Sequence, residues 1–212
     1  MKVVNKIIPN KLFGIIFYYM IYILIFTVYR DILYIRKDFF RLEKWSEFME
    51  KMVLVDLETQ NFSVESGIYE VACLAIVNYE IVDSLYLGKE IPNYIGPRKY
   101  GYGFYNISRD KEAIEKFQRF INKHPYPLVA HNCRFDRGFL VHYKWIPTSY
   151  PFYCSIEALK NSRIYFRSYS LDILVKSLRI ATSTTHNAMD DIINLYKVLK
   201  KLKPHVWKPV NQ

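Results

Sequence analysis

Glycine is scarce in this chain, seven residues in 212, and proline is little commoner at nine. That excludes collagen-like and linker-type sequences. Cysteine is scarcer still. Cys73, Cys133 and Cys154 cannot all pair and lie far apart, which argues against a disulfide framework or a zinc site and suits a reducing compartment. Negative charge is also short, 20 Asp and Glu against 30 Lys and Arg, for a net charge of +10. Residues 51–159 are balanced, with 12 charges of each sign, whereas residues 160–212 carry 10 basic residues and only Asp172, Asp190 and Asp191. Such a layout admits a solvated Lys-rich surface or an anionic partner. What the chain has in plenty is apolar side chains, 51% of the total, and aromatic ones, 17%. A disordered protein is excluded, and the length suits one domain with an appendage.

The longest hydrophobic run lies near the start. After a tail at 1–11, residues 12–29 (LFGIIFYYMIYILIFTVY) carry no charge. As a helix they would span roughly 27 Å, close to a bilayer core of about 30 Å. The segment is apolar on every face and its exit has no small-x-small cleavage site, so it is expected to be a retained transmembrane helix. A cleaved signal peptide and a buried helix are the alternatives. Lys2, Lys6 and Lys11 precede the run, and Arg30, Arg36, Lys37, Arg41 and Lys44 follow it. The balance expects a single-pass protein with its main domain facing the cytoplasm. Residues 30–50 place apolar side chains at 32, 35, 39, 42, 45 and 49 among charges, the spacing of an amphipathic linker helix.

From residue 51 strands and helices alternate. Met52–Leu57 reads as a strand buried on both faces, Ile68–Val77 as a second, and a turn at 78–80 leads into an alternating outer strand. Ser108 reads as the N-cap of a helix to about Lys123, with Asp110 and Glu112 in its first turn. A strand at 127–130, a helix from about Arg134 to Tyr143, a strand at 152–154, short helices near 155–160 and 171–179, and a last helix from about Asn187 to Leu202 complete the pattern. Residues 90–107, rich in Gly, Pro and Tyr, read as an irregular loop. The fold class is α/β, with a mixed β-sheet flanked by helices.

Three clusters carry chemistry. Asp56 and Glu58 end the first strand, and alternation sends both to one face. Two carboxylates there need a cation or several donors, unless the strand end simply meets solvent. Ala130–Asp136 (AHNCRFD) joins a short strand to a helix and puts Asp136 in the first helical turn. His186 precedes the last helix, whose inward stripe is Ala188, Ile192, Leu195 and Leu199. At 100° per residue Asp191 lies roughly 70° from the centre of that stripe and Asp190 roughly 170° from it. Asp191 is therefore expected to point along the inner edge and Asp190 to face solvent.

In this order, D-x-E, H-N-x-x-F-D and H-x-x-x-x-D resemble the DEDDh family of 3′–5′ exonucleases, which includes the proofreading subunit of bacterial DNA polymerase III, ribonuclease T and oligoribonuclease. The resemblance spans about residues 51–202; Asn187 stands where the related Tyr-type branch has its tyrosine. It implies a ribonuclease H-like fold over 51–203, followed by a C-terminal tail at 204–212. It also implies two Mg²⁺ ions, replaceable by Mn²⁺, held by Asp56, Glu58, Asp136 and Asp191, hard oxygen ligands unsuited to zinc. His186 would be the general base, and nucleoside 5′-monophosphates would leave a nucleic acid 3′ end, DNA or RNA. The candidate substrate contacts are Thr59, Asn132, Arg98 and Lys99, with Asn132 and Phe135 also read as supports of the second motif. A homodimer is expected by family analogy only. The competing expectation is an adaptor of the same fold that binds nucleic acid or protein without turnover, tethered to a membrane through residues 12–29.

Overall fold

The computed structural model describes residues 50–210. The expected membrane segment at 12–29 and all but the last residue of the linker at 30–50 lie outside them. Among the described residues no helix is long and apolar enough to cross a membrane.

Five strands form one mixed sheet in the order β3-β2-β1-β4-β5. β1 (Lys51–Glu58) pairs antiparallel with β2 (Glu70–Val77), and β2 pairs antiparallel with β3 (Glu80–Gly88). β4 (Leu128–Ala130) runs parallel to β1, and β5 (Phe152–Cys154) parallel to β4. The β2–β3 hairpin turns through Asn78 and Tyr79, both with positive φ, at 53° and 59°. Two successive left-handed residues give a turn whose twist matches that of the flanking strands.

The helices cover both faces, which explains the nearly continuous apolar run of β1. On one face Val53, Val55 and Leu57 pack in the same cluster as Phe117 and Phe120 of α1 (Lys111–Lys123) and Phe139 and Leu140 of α2 (Arg134–His142). On the other, Met52 and Leu54 pack with Ile192, Leu195 and Leu199 of α5 (Ala188–Leu202). Two short helices, α3 (Ser155–Asn161) and α4 (Leu171–Ser177), contribute Leu159, Leu174 and Val175 to a smaller cluster with Val198. The chain after α5 stays packed: Trp207 is buried among the α5-face residues and Pro209 bridges to Tyr153. All three cysteines are free and buried.

The cap of α1 differs from expectation. Asp110 is the N-cap, its carboxylate accepting from the Ala113 N–H at 3.1 Å. Ser108 stands two residues outside the helix. Its hydroxyl oxygen accepts from the Ile68 N–H at 2.7 Å, and its O–H donates to Asn106 Oδ1 at 2.6 Å. The serine thus ties the entrance of β2 to the chain leading into α1, a long-range contact that no local pattern encodes.

Replacing Asp110 with Ala removes one half-buried cap and should cost about 1 kcal/mol of stability. Ser108→Ala strands a buried N–H and should cost more, about 1–3 kcal/mol. Urea denaturation of the full chain checks the order of the two.

Candidate active site

Parity along β1 decides where the first two carboxylates go. Asp56 and Glu58 share the face of Met52 and Leu54, the face that α5 covers. Asp191, in the first turn of α5, therefore meets them from above. It is 7% exposed while its neighbour Asp190 is exposed, as the helical spacing requires. Asp136 sits in the first turn of α2, directly after β4, and is 2% exposed. Because β1 and β4 are parallel, their carboxyl ends open at the same edge of the sheet, and ligand sites in such sheets collect there.

Asp56, Glu58, Asp136, Asp191 and His186 all line one open cleft of about 510 Å³. Thr59, Gln60, Asn61 and Phe62, which follow β1, form one wall, and Phe135, His131 and Tyr100 contribute others. The Thr59 hydroxyl donates to the Asn61 carbonyl at 2.8 Å and holds this turn in shape. Phe62 is 89% exposed and meets Phe135 edge to face at 5.8 Å, so two aromatic rings flank the entrance.

The carboxyls are crowded and desolvated. Burial, followed by repulsion from Asp136, Glu58 and Asp191, raises Asp56 well above the usual carboxylate range. Burial first, then Asp191, Glu70 and Asp136, raises Glu58 from 4.5 to about 8. Asp136 is also raised by burial, although its own N–H and that of Leu57 work in the opposite direction. Burial raises Asp191 against the Thr185 N–H, which donates to its Oδ1 at 3.2 Å. Like charges that share so little solvent resist ionising together.

Carboxylate oxygens are among the donors that hard divalent cations prefer. A bound cation would also reverse the repulsion among them. In donor chemistry and in mutual electrostatic coupling, the cluster fits Mg²⁺ or Mn²⁺. Among the described residues, however, no three His, Cys, Asp or Glu side chains converge tightly enough to hold an ion as they stand.

Two histidines face the cleft and differ in kind. His131 Nε2 lies 2.7 Å from the Tyr169 carbonyl, which can only accept, so this nitrogen carries the proton. Nδ1, 2.8 Å from the Ser155 hydroxyl, must then accept. Burial lowers His131 to about 4, and both of its nitrogens are used. His186 is different: no hydrogen bond to its ring is found among the described residues, and the ring stacks on Tyr100 with centroids 4.2 Å apart. Its backbone is left-handed (φ 54°), and its carbonyl accepts from the Tyr100 N–H at 3.1 Å.

Tyr100 belongs to the 90–107 loop, which is irregular as expected and pinned at its base by a bridge between Glu90 and Phe104. Gly101 follows Tyr100 at φ +70°, and a Cβ there would come within 2.7 Å of Tyr69. Glycine is what lets the loop lie this close to the domain. Of the proposed substrate contacts, Thr59 lines the cleft. Arg98 instead pairs with Glu90 at 3.3 Å, Lys99 lies over the Tyr100 ring at 5.4 Å, and Asn132 is exposed with φ 58°. Sequence reasoning singled out neither Tyr100 nor Phe62. Aromatics in irregular loops carry no periodic signal, and both acquire a role only through distant neighbours.

Residues 106–199 match the sequence model of the RNase_T exonuclease family. A full-length 3′-exonuclease has the same fold at TM-score 0.54, with 11% identity over 77% of this chain and 91% of that one. A 3′-exonuclease that recognises the histone mRNA stem-loop gives 0.53, with 12% identity over 77% and 91%. Zinc-bound exonuclease I of E. coli with single-stranded DNA gives 0.50, with 16% identity over 73% of this chain. The present chain spans only 40% of that enzyme's length. No curated protein sequence matches.

The proton occupancy of the cleft makes a directional prediction. Between about 4.5 and about 8 the folded chain holds a proton on Glu58 that the unfolded chain has lost. This group's contribution to stability therefore falls as the pH rises through that window. In EDTA, Glu58→Gln should gain thermal stability relative to the wild type as the pH is raised from 5 to 8, measured as the difference in Tm. Mg²⁺ should narrow the gap at the upper end.

The match to the RNase_T exonuclease family model takes in Asp136, His186 and Asp191, while Asp56 and Glu58 precede it in the chain and line the same cleft.

Proposed function

We propose that the chain hydrolyses the terminal phosphodiester at the 3′ end of DNA or RNA and releases nucleoside 5′-monophosphates. The observation that carries this reading is the meeting of Asp56, Glu58, Asp136, Asp191 and His186 on one cleft, from β1, α2 and the approach to α5. The four carboxylates would hold two divalent cations, Mg²⁺ or Mn²⁺. Such ions supply Lewis-acid polarisation of the phosphoryl group and stabilise charge on the leaving oxygen.

The chain's own residues provide the rest. His186 takes the proton of the attacking water as the new bond from oxygen to phosphorus forms. The bond from phosphorus to the 3′ oxygen breaks, leaving a 3′ hydroxyl on the shortened strand. With both nitrogens engaged, His131 is unsuited to that exchange and instead holds the segment around Tyr169 in place. The Thr59–Phe62 wall borders the space for the terminal nucleotide, and the exposed Phe62 face suits stacking on a base. The uncharged run at 12–29 supports a membrane tether that holds this domain on the cytoplasmic side.

With 3′-labelled single-stranded DNA and RNA, the full chain should release mononucleotides in Mg²⁺ and none in EDTA. Asp56→Asn should abolish release, His186→Ala should lower it about 10²–10⁴-fold, and Asp190→Ala should stay near the wild type. Binding without cleavage in every condition would point to the adaptor reading. For the tether, the full chain should remain with membranes after alkaline washing, whereas a variant lacking residues 1–30 should not.

A further inference from the structure

One buried carboxylate lies beside the cleft but outside the four. Glu70, at the start of β2, has no exposed surface. In the β1–β2 register it stands opposite Glu58, so its side chain also faces α5. A second buried carboxylate next to the first is costly unless donors hold it. Two do, both on Oε2. The Tyr86 hydroxyl of β3 donates at 2.6 Å and Asn187 Nδ2 donates at 2.7 Å. Oε1 has no hydrogen-bond partner among the described residues.

Asn187 spends its other end on α5. Its Oδ1 accepts from the N–H groups of Met189 and Asp190 at 3.2 and 3.3 Å and caps the helix. One amide therefore joins the sheet to the first turn of α5, immediately after His186 and four residues before Asp191. Gly88, also opposite Glu70 on the β3 side, leaves the space this needs. A Cβ at Gly88 would lie 2.7 Å from the Tyr86 hydroxyl. From the far side Tyr100 stacks on the His186 ring. His186 is thus gripped from the loop at its ring and from the sheet through the residue that follows it.

We propose that Glu70 is a positioning residue for His186, acting through Asn187 and oriented by Tyr86, so that the base keeps one left-handed backbone geometry at the edge of the cleft. The role of His186 rests on the exonuclease reading; the tie itself rests on the hydrogen bonds. A base held by a single residue preceding a helix is free to swing unless that residue is fixed. Glu70 fixes it with a hydrogen bond in a place that water does not reach.

Asn187→Asp tests this selectively, because aspartate caps a helix as well as asparagine does but as the carboxylate only accepts and cannot donate to Glu70. The double variant Glu70→Gln/Asn187→Asp restores one donor–acceptor pair with the roles exchanged. In the full chain with Mg²⁺ and a 3′-labelled oligonucleotide, Asn187→Asp should lower kcat about 10–100-fold with KM little changed. The double variant should recover most of that loss. Without metal, amide hydrogen exchange over residues 184–191 should quicken in Asn187→Asp and slow again in the double variant. Gly88→Ala, which displaces the Tyr86 hydroxyl, should shift kcat and exchange in the same direction as Asn187→Asp. An unchanged kcat and exchange in Asn187→Asp, or no recovery in the double variant, overturns the proposal. A wild type without turnover would instead overturn the exonuclease reading, and the exchange pattern would then decide the tie alone.

Discussion

Four carboxylates forced into one poorly hydrated cleft set the terms for the rest of this structure. In water, Asp56, Glu58, Asp136 and Asp191 would ionise independently. Here each is raised, with burial as the leading cause in every case. Folding brings them together because the apolar residues between and around them must be buried. The cost of crowding is part of the cost of closing both faces of the sheet. A cluster of this kind is tolerated when it is protonated or met by cations, and its oxygen-only chemistry suits hard divalent ions.

The path from sequence to this cleft is short where periodicity governs. Alternation along β1 gives Asp56 and Glu58 a common face. Helical spacing separates Asp191, which is buried, from Asp190, which is exposed. Both distinctions could be read before any coordinate because a strand and a helix each have one period and one buried side. The mixed sheet, its strands and the five α-helices of the described residues were legible for the same reason. The two parallel strands β4 and β5, three residues each, were legible because short apolar runs between turn residues leave few alternatives.

What was hidden depends on partners far away in the chain. Ser108 looks like a helix cap from its neighbours alone, yet its oxygen serves Ile68, 40 positions away. Glu70 looks like one polar interruption in an apolar strand. Its importance appears only when hairpin register sets it against Glu58 and the fold returns Asn187 to it across 117 positions. Tyr100 and Phe62 sit in segments without periodicity, and their placement at the cleft follows from loop closure and tertiary packing. The positive charge that dominates the composition stays at the margin of the account: the cleft is lined by carboxylates from the charge-balanced centre, Asp56, Glu58 and Asp136, joined by Asp191 from the basic last quarter.

The central claim is that the buried carboxylates exchange protons for divalent cations. Titration of the metal-free full chain with Mn²⁺ at neutral pH, followed by electron paramagnetic resonance together with proton release, tests it directly. The account predicts saturable binding of two ions per chain with net release of protons, and a loss of both binding and release in Asp56→Asn. Absence of saturable Mn²⁺ binding, or identical binding and proton release in wild type and Asp56→Asn, would contradict it.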